Sequence, residues 1–312
     1  MPDTVRFLSL FALTLLDWSE GCSFVLVPNG CGAAESRFLR DLAERPDRFE
    51  FLDLGLNRPT NHATTLERLL ALERGDRFCF LDTDILADGE WLPTVMDAFE
   101  SHAGVFACPP IWALPDDQVH RSGWQHLGGR YNVTDSGLVL GGTYLAVYEV
   151  KPLRAVLKQG ASLNRAPWEA LPPAVRGSLE KLNMQKEFYD TAKVANLLLA
   201  AQGHALINVD LPHLHHIGGV SIVAGPGLPD IKDRRAAKLA SVASDERASI
   251  EERLTRRETT ADHVGRLFRH LFDGDDLPAP ARTGNDDVDE RLDGLSSRVI
   301  AAYNKHSAEL DF

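Results

Sequence analysis

Cysteine is scarce in this chain. Of its 312 residues only Cys22, Cys31, Cys79 and Cys108 are cysteines, and no two form a Cys-x-x-Cys pair. No cysteine-based chemical motif is therefore legible, and buried thiols in a reducing compartment are the plain expectation, with Cys79 set inside an apolar run. Positive charge is also short. Lys and Arg number 33 against 45 Asp and Glu, a formal net charge of −12, which argues against a general nucleic-acid-binding role. It does not exclude an anionic substrate, because a bound cation can supply local positive charge. Long apolar runs are lacking too. The one signal-like stretch, residues 5 to 16, is too short to span a bilayer. It has Arg6 as its single basic flank and no small-residue cleavage site. It is expected to be a buried amphipathic helix ending near Glu20-Gly21. The chain is accordingly expected to be cytoplasmic, with peripheral association at a membrane surface left open. Apolar residues make up 44% of the sequence, enough for one large domain or two smaller ones with full cores.

What the sequence does have is centred on Arg77-Phe78-Cys79-Phe80-Leu81-Asp82-Thr83-Asp84. The apolar run from Phe78 to Leu81 lies between Gly75-Asp76 and Asp88-Gly89 and reads as a buried strand. In an open α/β sheet, ligands sit at the carboxyl ends of strands. Residues i and i+2 of a strand point to one side, so Asp82 and Asp84 would share a side at the edge of a cleft. Two hard oxygen donors there suit Mg²⁺ or Mn²⁺ shared with a phosphate. The bland reading of the same tripeptide is a solvated turn cap.

The flanking pattern fits such a sheet. The first helix precedes a strand at 24–27 that stops at Pro28-Asn29-Gly30. A helix over 34–44, a strand over 49–54 and a helix over 60–73 lead into the Asp82 strand. This alternation predicts a mainly parallel sheet flanked by helices on both faces. Further on, a helix is expected over 89–100, a strand over 104–108, and a strand within 136–148 where Gly141 and Gly142 would let a ligand approach the backbone. Helical cover is expected over 151–157 and 167–183. A helix ending at Gly203 and a strand over 205–209 follow, then Asp210-Leu-Pro-His213-Leu-His215-His216-Ile-Gly218-Gly219-Val-Ser221. From about Ile231 the character changes to charged helices, expected over 236–244, 249–272 and 286–312, with no repeat and no chemical motif. Two domains are thus expected, 1–230 and a charged helical extension over 231–312. Packing back on the core, docking to a partner or homo-oligomerisation are uses for the second.

The Asp82-Thr83-Asp84 stretch resembles the Asp-x-Asp motif of GT-A fold glycosyltransferases, in particular family 2, where Phe-Leu-Asp-x-Asp precedes an apolar residue. The resemblance covers roughly residues 5–222. It includes an acidic motif before the helix that ends at Gly203, and a His-His-x-Gly-Gly-x-Ser segment. It implies a GT-A-like fold and a nucleotide-diphosphate sugar donor. The acceptor could be a glycan, a lipid or a small molecule, and no nucleic acid is implicated. Asp84 would be the first metal ligand, for Mn²⁺ or Mg²⁺, with Asp82 on the ribose or on the metal through water. A histidine after the last sheet strand would complete the site, His216 being favoured over His215 because it lies nearer the turn. Asp190, or else Glu187, would be the base that takes the acceptor proton in an inverting transfer. Asn29, Gly30 and Gly142 would line the donor pocket. Three departures stand out. The family's opening strand has no counterpart before the first helix. Pro28 replaces its base-contacting Asp. The acidic motif reads Glu187-Phe-Tyr-Asp190 where the family has adjacent carboxylates, so Asp190 reads equally well as a helix cap.

Two other readings compete. A haloacid-dehalogenase-type phosphatase also places Asp-x-Asp after an apolar strand, but it wants Thr or Val where Leu86 stands, and its motif falls on the first strand. A degenerate GT-A domain acting as a binding module would account for Pro28, though not for the retained Asp82, Asp84, His215 and His216. A nucleotidyltransferase would need a Gly-rich loop with a basic residue near the amino end, which is lacking.

Overall fold

The computed structural model describes residues 5–45, 47–107, 132–133, 139–140, 144–181, 188–189, 191–217, 239–240, 247–280, 282 and 286–310. Helices and strands alternate from the amino end, as the periodicity predicts. They are α1 (Val5–Asp17), β1 (Phe24–Leu26), α2 (Ala33–Ala43), β2 (Phe49–Phe51), α3 (His62–Leu72), β3 (Arg77–Leu81), β4 (Ile85–Ala87), α4 (Leu92–Phe99) and β5 (Gly104–Ala107). There follow β6 (Asn132–Val133), β7 (Val139–Leu140), β8 (Leu145–Glu149), α5 (Val150–Lys158), β9 (Ala166–Pro167), α6 (Pro173–Lys181), β10 (Phe188–Tyr189), α7 (Lys193–Ala201), β11 (Leu206–Val209) and β12 (Leu214–His216). Two long helices close the chain, α8 (Arg247–Asp273) and α9 (Asp286–Leu310). The protein is therefore of the α/β class, with a helical carboxyl-terminal part. Most of the expected helix over 236–244 lies outside the described residues. No helix among the described residues is long and apolar enough to cross a membrane.

The contacts divide the chain into two compact units. One comprises residues 60–82 and 91–212 and is built on a four-stranded sheet of order β11-β5-β8-β3. β5 is parallel to β11, and β8 runs antiparallel to both β5 and β3. Three of the four strands thus share a direction and β8 alone is reversed. Phe80 of β3 and Phe106 of β5 both lie opposite Ala146 of β8, so a small residue separates two large rings. Tyr148 is fully buried beside them and donates its hydroxyl hydrogen to Asn196 Oδ1 at 2.8 Å, which satisfies the one polar atom of an otherwise apolar side chain. Leu153 and Val156 of α5 and Leu197 to Leu199 of α7 complete this core.

β3 departs from the expectation of a wholly buried strand. It is the last strand in the order, and its side chains alternate, with Phe78 and Phe80 inward and Arg77 and Cys79 outward. Cys79 is therefore exposed, not the buried thiol anticipated. The two-residue period assigns it to the face of Arg77, whose guanidinium lies 4.9 Å from the centre of the Phe99 ring.

The other unit comprises residues 1–59, 83–90 and 213–312. β1 and β2 pair in parallel, and β4 pairs antiparallel with β12. Its core joins α1 (Leu10, Phe11, Leu13, Leu16) to α8 (Val264, Leu267, Phe268) and α9 (Leu292, Leu295, Val299). The amphipathic burial expected of α1 is thus met in part by the carboxyl-terminal helices, with Leu42, Phe49, Leu86 and Ile217 in the same core. The carboxyl end of α1 is capped from a distance. Arg48 donates from Nη2 to the Leu16 carbonyl at 2.6 Å, one of the carbonyls that a helix end leaves without an intrahelical partner, and from Nη1 to the Ser19 carbonyl just beyond the helix at 2.8 Å.

β4 was not legible as a strand, and it is held by α1. The Ala87 amide donates to Thr14 Oγ1 at 3.0 Å, while Thr14 donates its own hydrogen to the Phe11 carbonyl at 2.8 Å. Thr14→Val keeps the shape of the side chain and removes the acceptor. It should destabilise the protein by about 1–3 kcal/mol, the cost of an orphaned buried N–H. Equilibrium denaturation of the two proteins measures it, and a change under about 0.3 kcal/mol would count against this contact.

A candidate metal centre

The site is built where β3 gives way to a turn and then to β4. β3 ends at Leu81, and the Asp82 amide donates to the Tyr144 carbonyl at 2.8 Å. Thr83 and Asp84 form a turn, and β4 starts at Ile85. The two carboxylates therefore stand on a turn and not along a strand as expected. β4 is zipped to β12 in the register His216 opposite Ile85, His215 opposite Leu86 and Leu214 opposite Ala87. Backbone bonds close both ends of this ladder. The Ile217 amide donates to the Asp84 carbonyl at 2.9 Å, and the Asp88 amide donates to the His213 carbonyl at 3.1 Å.

This register delivers His216 to Asp84. His216 Nε2 lies 3.3 Å from Asp84 Oδ1, the carboxylate being 13% exposed and the imidazole 35%. Asp82, Asp84 and His216 each offer one ligand atom, and these atoms lie within 4.8 Å of one another. Two carboxylate oxygens and one imidazole nitrogen form a donor set that suits Mn²⁺ and also accepts Mg²⁺. Their partial exposure leaves room for ligands from elsewhere, so the residues fit a divalent cation.

His215 is placed differently. Alternation along β12 turns it from Asp84 toward Asp88, and its Nε2 lies 2.8 Å from Asp88 Oδ2. His213 Nδ1 is 3.0 Å from Asp88 Oδ1, and Arg298 Nε donates to Asp88 Oδ2 at 2.8 Å. Burial pushes the Asp88 carboxyl upward, but the hydrogen bonds from His213, Arg298 and His215 outweigh it and hold the group below its ordinary range. Burial holds the His215 imidazole below its ordinary range, only partly countered by Asp88. Asp88, His213 and Arg298 escaped sequence reading. Asp88 reads as a turn residue, and Arg298 sits in a helix with no motif.

Gly30 has a backbone reason to be glycine. Its φ is +74°, and a Cβ there would lie 2.2 Å from the Pro59 nitrogen. Its amide donates to the Leu56 carbonyl at 3.1 Å. Asn29 precedes it in the same turn, partly buried. Gly30→Ala should cost about 1–3 kcal/mol through the left-handed backbone alone, and the collision with Pro59 adds to that. A thermal melt reads the loss, and an unchanged midpoint would show that this turn is not packed as described. Asp190, Glu187 and Gly142 lie outside the described residues, so the structure neither brings them to the cluster nor separates them from it.

No family model and no curated protein matches the chain. Among solved structures it is similar to a galactosyltransferase, LgtC, in complex with donor and acceptor sugar analogues. The identity is 13% and the TM-score 0.41, over 80% of this chain and 98% of that one.

Proposed function

We propose that the protein is a metal-dependent glycosyltransferase that moves a sugar from a nucleotide-diphosphate donor to an acceptor hydroxyl of a glycan, lipid or small molecule. The observation that carries this reading is the convergence of Asp82 and Asp84, from one short stretch, with His216 from a distant one, residues that the resemblance picks out. A divalent cation held there would supply the positive charge that a departing diphosphate needs. The side chains have distinct tasks. Asp84, the least exposed of the pair with His216, is the fixed ligand, and His216 is its neutral nitrogen partner. Asp82, which follows β3, takes a ribose hydroxyl or shares the cation in this proposal. Asp190, with Glu187 as the substitute, is the base that removes the acceptor proton in an inverting transfer.

The test is a thermal-shift panel of UDP-, GDP- and dTDP-sugars with and without Mn²⁺. A ligand present at a hundredfold its Kd raises stability by about 2.7 kcal/mol. A shift for one nucleotide that requires Mn²⁺ supports the reading and names the donor class. No shift with any nucleotide, on a protein that melts cooperatively, overturns it.

A further inference from the structure

We infer that Asp88 and Arg298 are positioning residues for the metal centre, fixing the short β4–β12 ladder so that His216, and not His215, is presented to Asp84. This rests on the metal reading of the Asp82, Asp84 and His216 group. The ladder is the reason such a device is needed. It has only three residue pairs, and an isolated two-stranded ribbon is at best marginally stable in water. Its two adjacent histidines differ by one position, and a one-residue slip would exchange them. Thr14 ties one edge of β4. The far end is tied at Asp88, four residues beyond Asp84.

Three donors converge on the Asp88 carboxylate. His213 Nδ1 meets Oδ1 at 3.0 Å, while His215 Nε2 and Arg298 Nε both meet Oδ2 at 2.8 Å. By the register His215 lies opposite Leu86, and beyond the last pair the Asp88 amide donates to the His213 carbonyl, so alternation sets His213 and His215 on one side of the ladder and His216 on the other. The bond from His215 fixes its hydrogen on Nε2 and engages the nitrogen that could otherwise reach a cation. The site is also shaped for this arrangement. A Cβ at Gly89 would lie 2.6 Å from His213 Nδ1, so a larger residue there would displace the imidazole from this position. Arg298 carries the contact from α9, more than two hundred residues along the chain from Asp88. A helix that the sequence presents as a motif-free tail thereby reaches the residue that follows β4, at the end of the ladder away from Asp84.

The test measures Mn²⁺ alone, titrated into the full-length chain and followed by the electron paramagnetic resonance of the free ion, with metal-free melting in parallel. Asp84→Ala should abolish binding. Arg298→Ala should weaken it about tenfold, the lower end of what loss of a group supporting the ligands costs, and Arg298→Lys should recover most of that. Asp88→Asn, which preserves shape, should weaken it similarly and serves if Arg298→Ala folds poorly. Lys305→Ala removes a different tie of the same helix, from Lys305 Nζ to Asp17 Oδ2 at 2.7 Å, and should leave Mn²⁺ affinity unchanged. Wild-type affinity in both Arg298→Ala and Asp88→Asn, with binding lost in Asp84→Ala, overturns the inference and leaves the metal reading standing. Equal weakening in Arg298→Ala and Lys305→Ala also overturns it, since loosening of the helix would then be enough. No Mn²⁺ binding by the wild type, or undiminished binding by Asp84→Ala, removes the metal reading and the inference with it.

Discussion

Asp84→Asn is expected to lower sugar transfer roughly a thousandfold, the scale on which enzymes lose rate when a group that stabilises developing charge is removed, while leaving the fold intact. The two halves of this expectation come from different atoms. The backbone carbonyl of Asp84 accepts the Ile217 amide and closes the β4–β12 ladder, and Asn keeps that carbonyl. The carboxylate faces His216 at 3.3 Å, a partly exposed pair of the kind that contributes little to stability. Asn keeps the shape of the side chain and an oxygen for His216, so the variant should melt within about 1 kcal/mol of the wild type, the net size of one ordinary hydrogen bond. Activity is read as turnover of the donor identified by the nucleotide panel, at saturating Mn²⁺. A loss smaller than tenfold would show that Asp84 holds no catalytic cation. A large loss accompanied by a collapsed melt would instead make the pair a structural one.

Parts of this site were legible from the sequence because they are local. Phe78 to Leu81 is a compact apolar run, and the two carboxylates follow within three residues, so neither needs a distant partner to be noticed. The choice of His216 over His215 followed from a resemblance and from closeness to a turn. In the fold the two residues part through strand alternation against β4, and β4 itself was missed. Ile85-Leu86-Ala87 is too short to show a period, and its partner strand begins at Leu214. Asp88 and Arg298 were illegible for the same reason, since side-chain bonds between distant segments leave no trace in a single sequence. Cys79 shows the converse error. Hydrophobic neighbours in sequence imply burial only where both faces of a strand are covered, and β3 ends the sheet with Cys79 on the outward face. The helices of the amino-terminal half were readable within a few residues because amphipathic periodicity and caps are local. What their apolar faces pack against was not.

That last point bears on the carboxyl-terminal helices, and Phe268→Ala tests it. Phe268 is 1% exposed and belongs to the core that α8 shares with α1. Its ring stacks on Phe7, with centroids 3.8 Å apart and planes 13° from parallel, and meets Phe11 edge-on at 5.9 Å. Truncating a buried phenylalanine typically costs about 3–5 kcal/mol, of which each aromatic pair accounts for about 0.5–1.5 kcal/mol beyond burial. Whole domains are stable by only about 5–15 kcal/mol, so the variant should lie close to unfolding at ambient temperature. Leu277→Ala is the companion, because Leu277 is 55% exposed and its loss should be close to neutral. Hydrogen exchange gives the sharper readout. If α1 and α8 form one cooperative core, Phe268→Ala will accelerate exchange in both helices together, although they are far apart in the chain. Faster exchange confined to α8, with α1 protected as in the wild type, would mean that residues 231–312 are a separate extension and that α1 finds its core elsewhere. Coupled loss would mean that the charged tail is part of the framework on which β4, and with it Asp84, is mounted through Thr14.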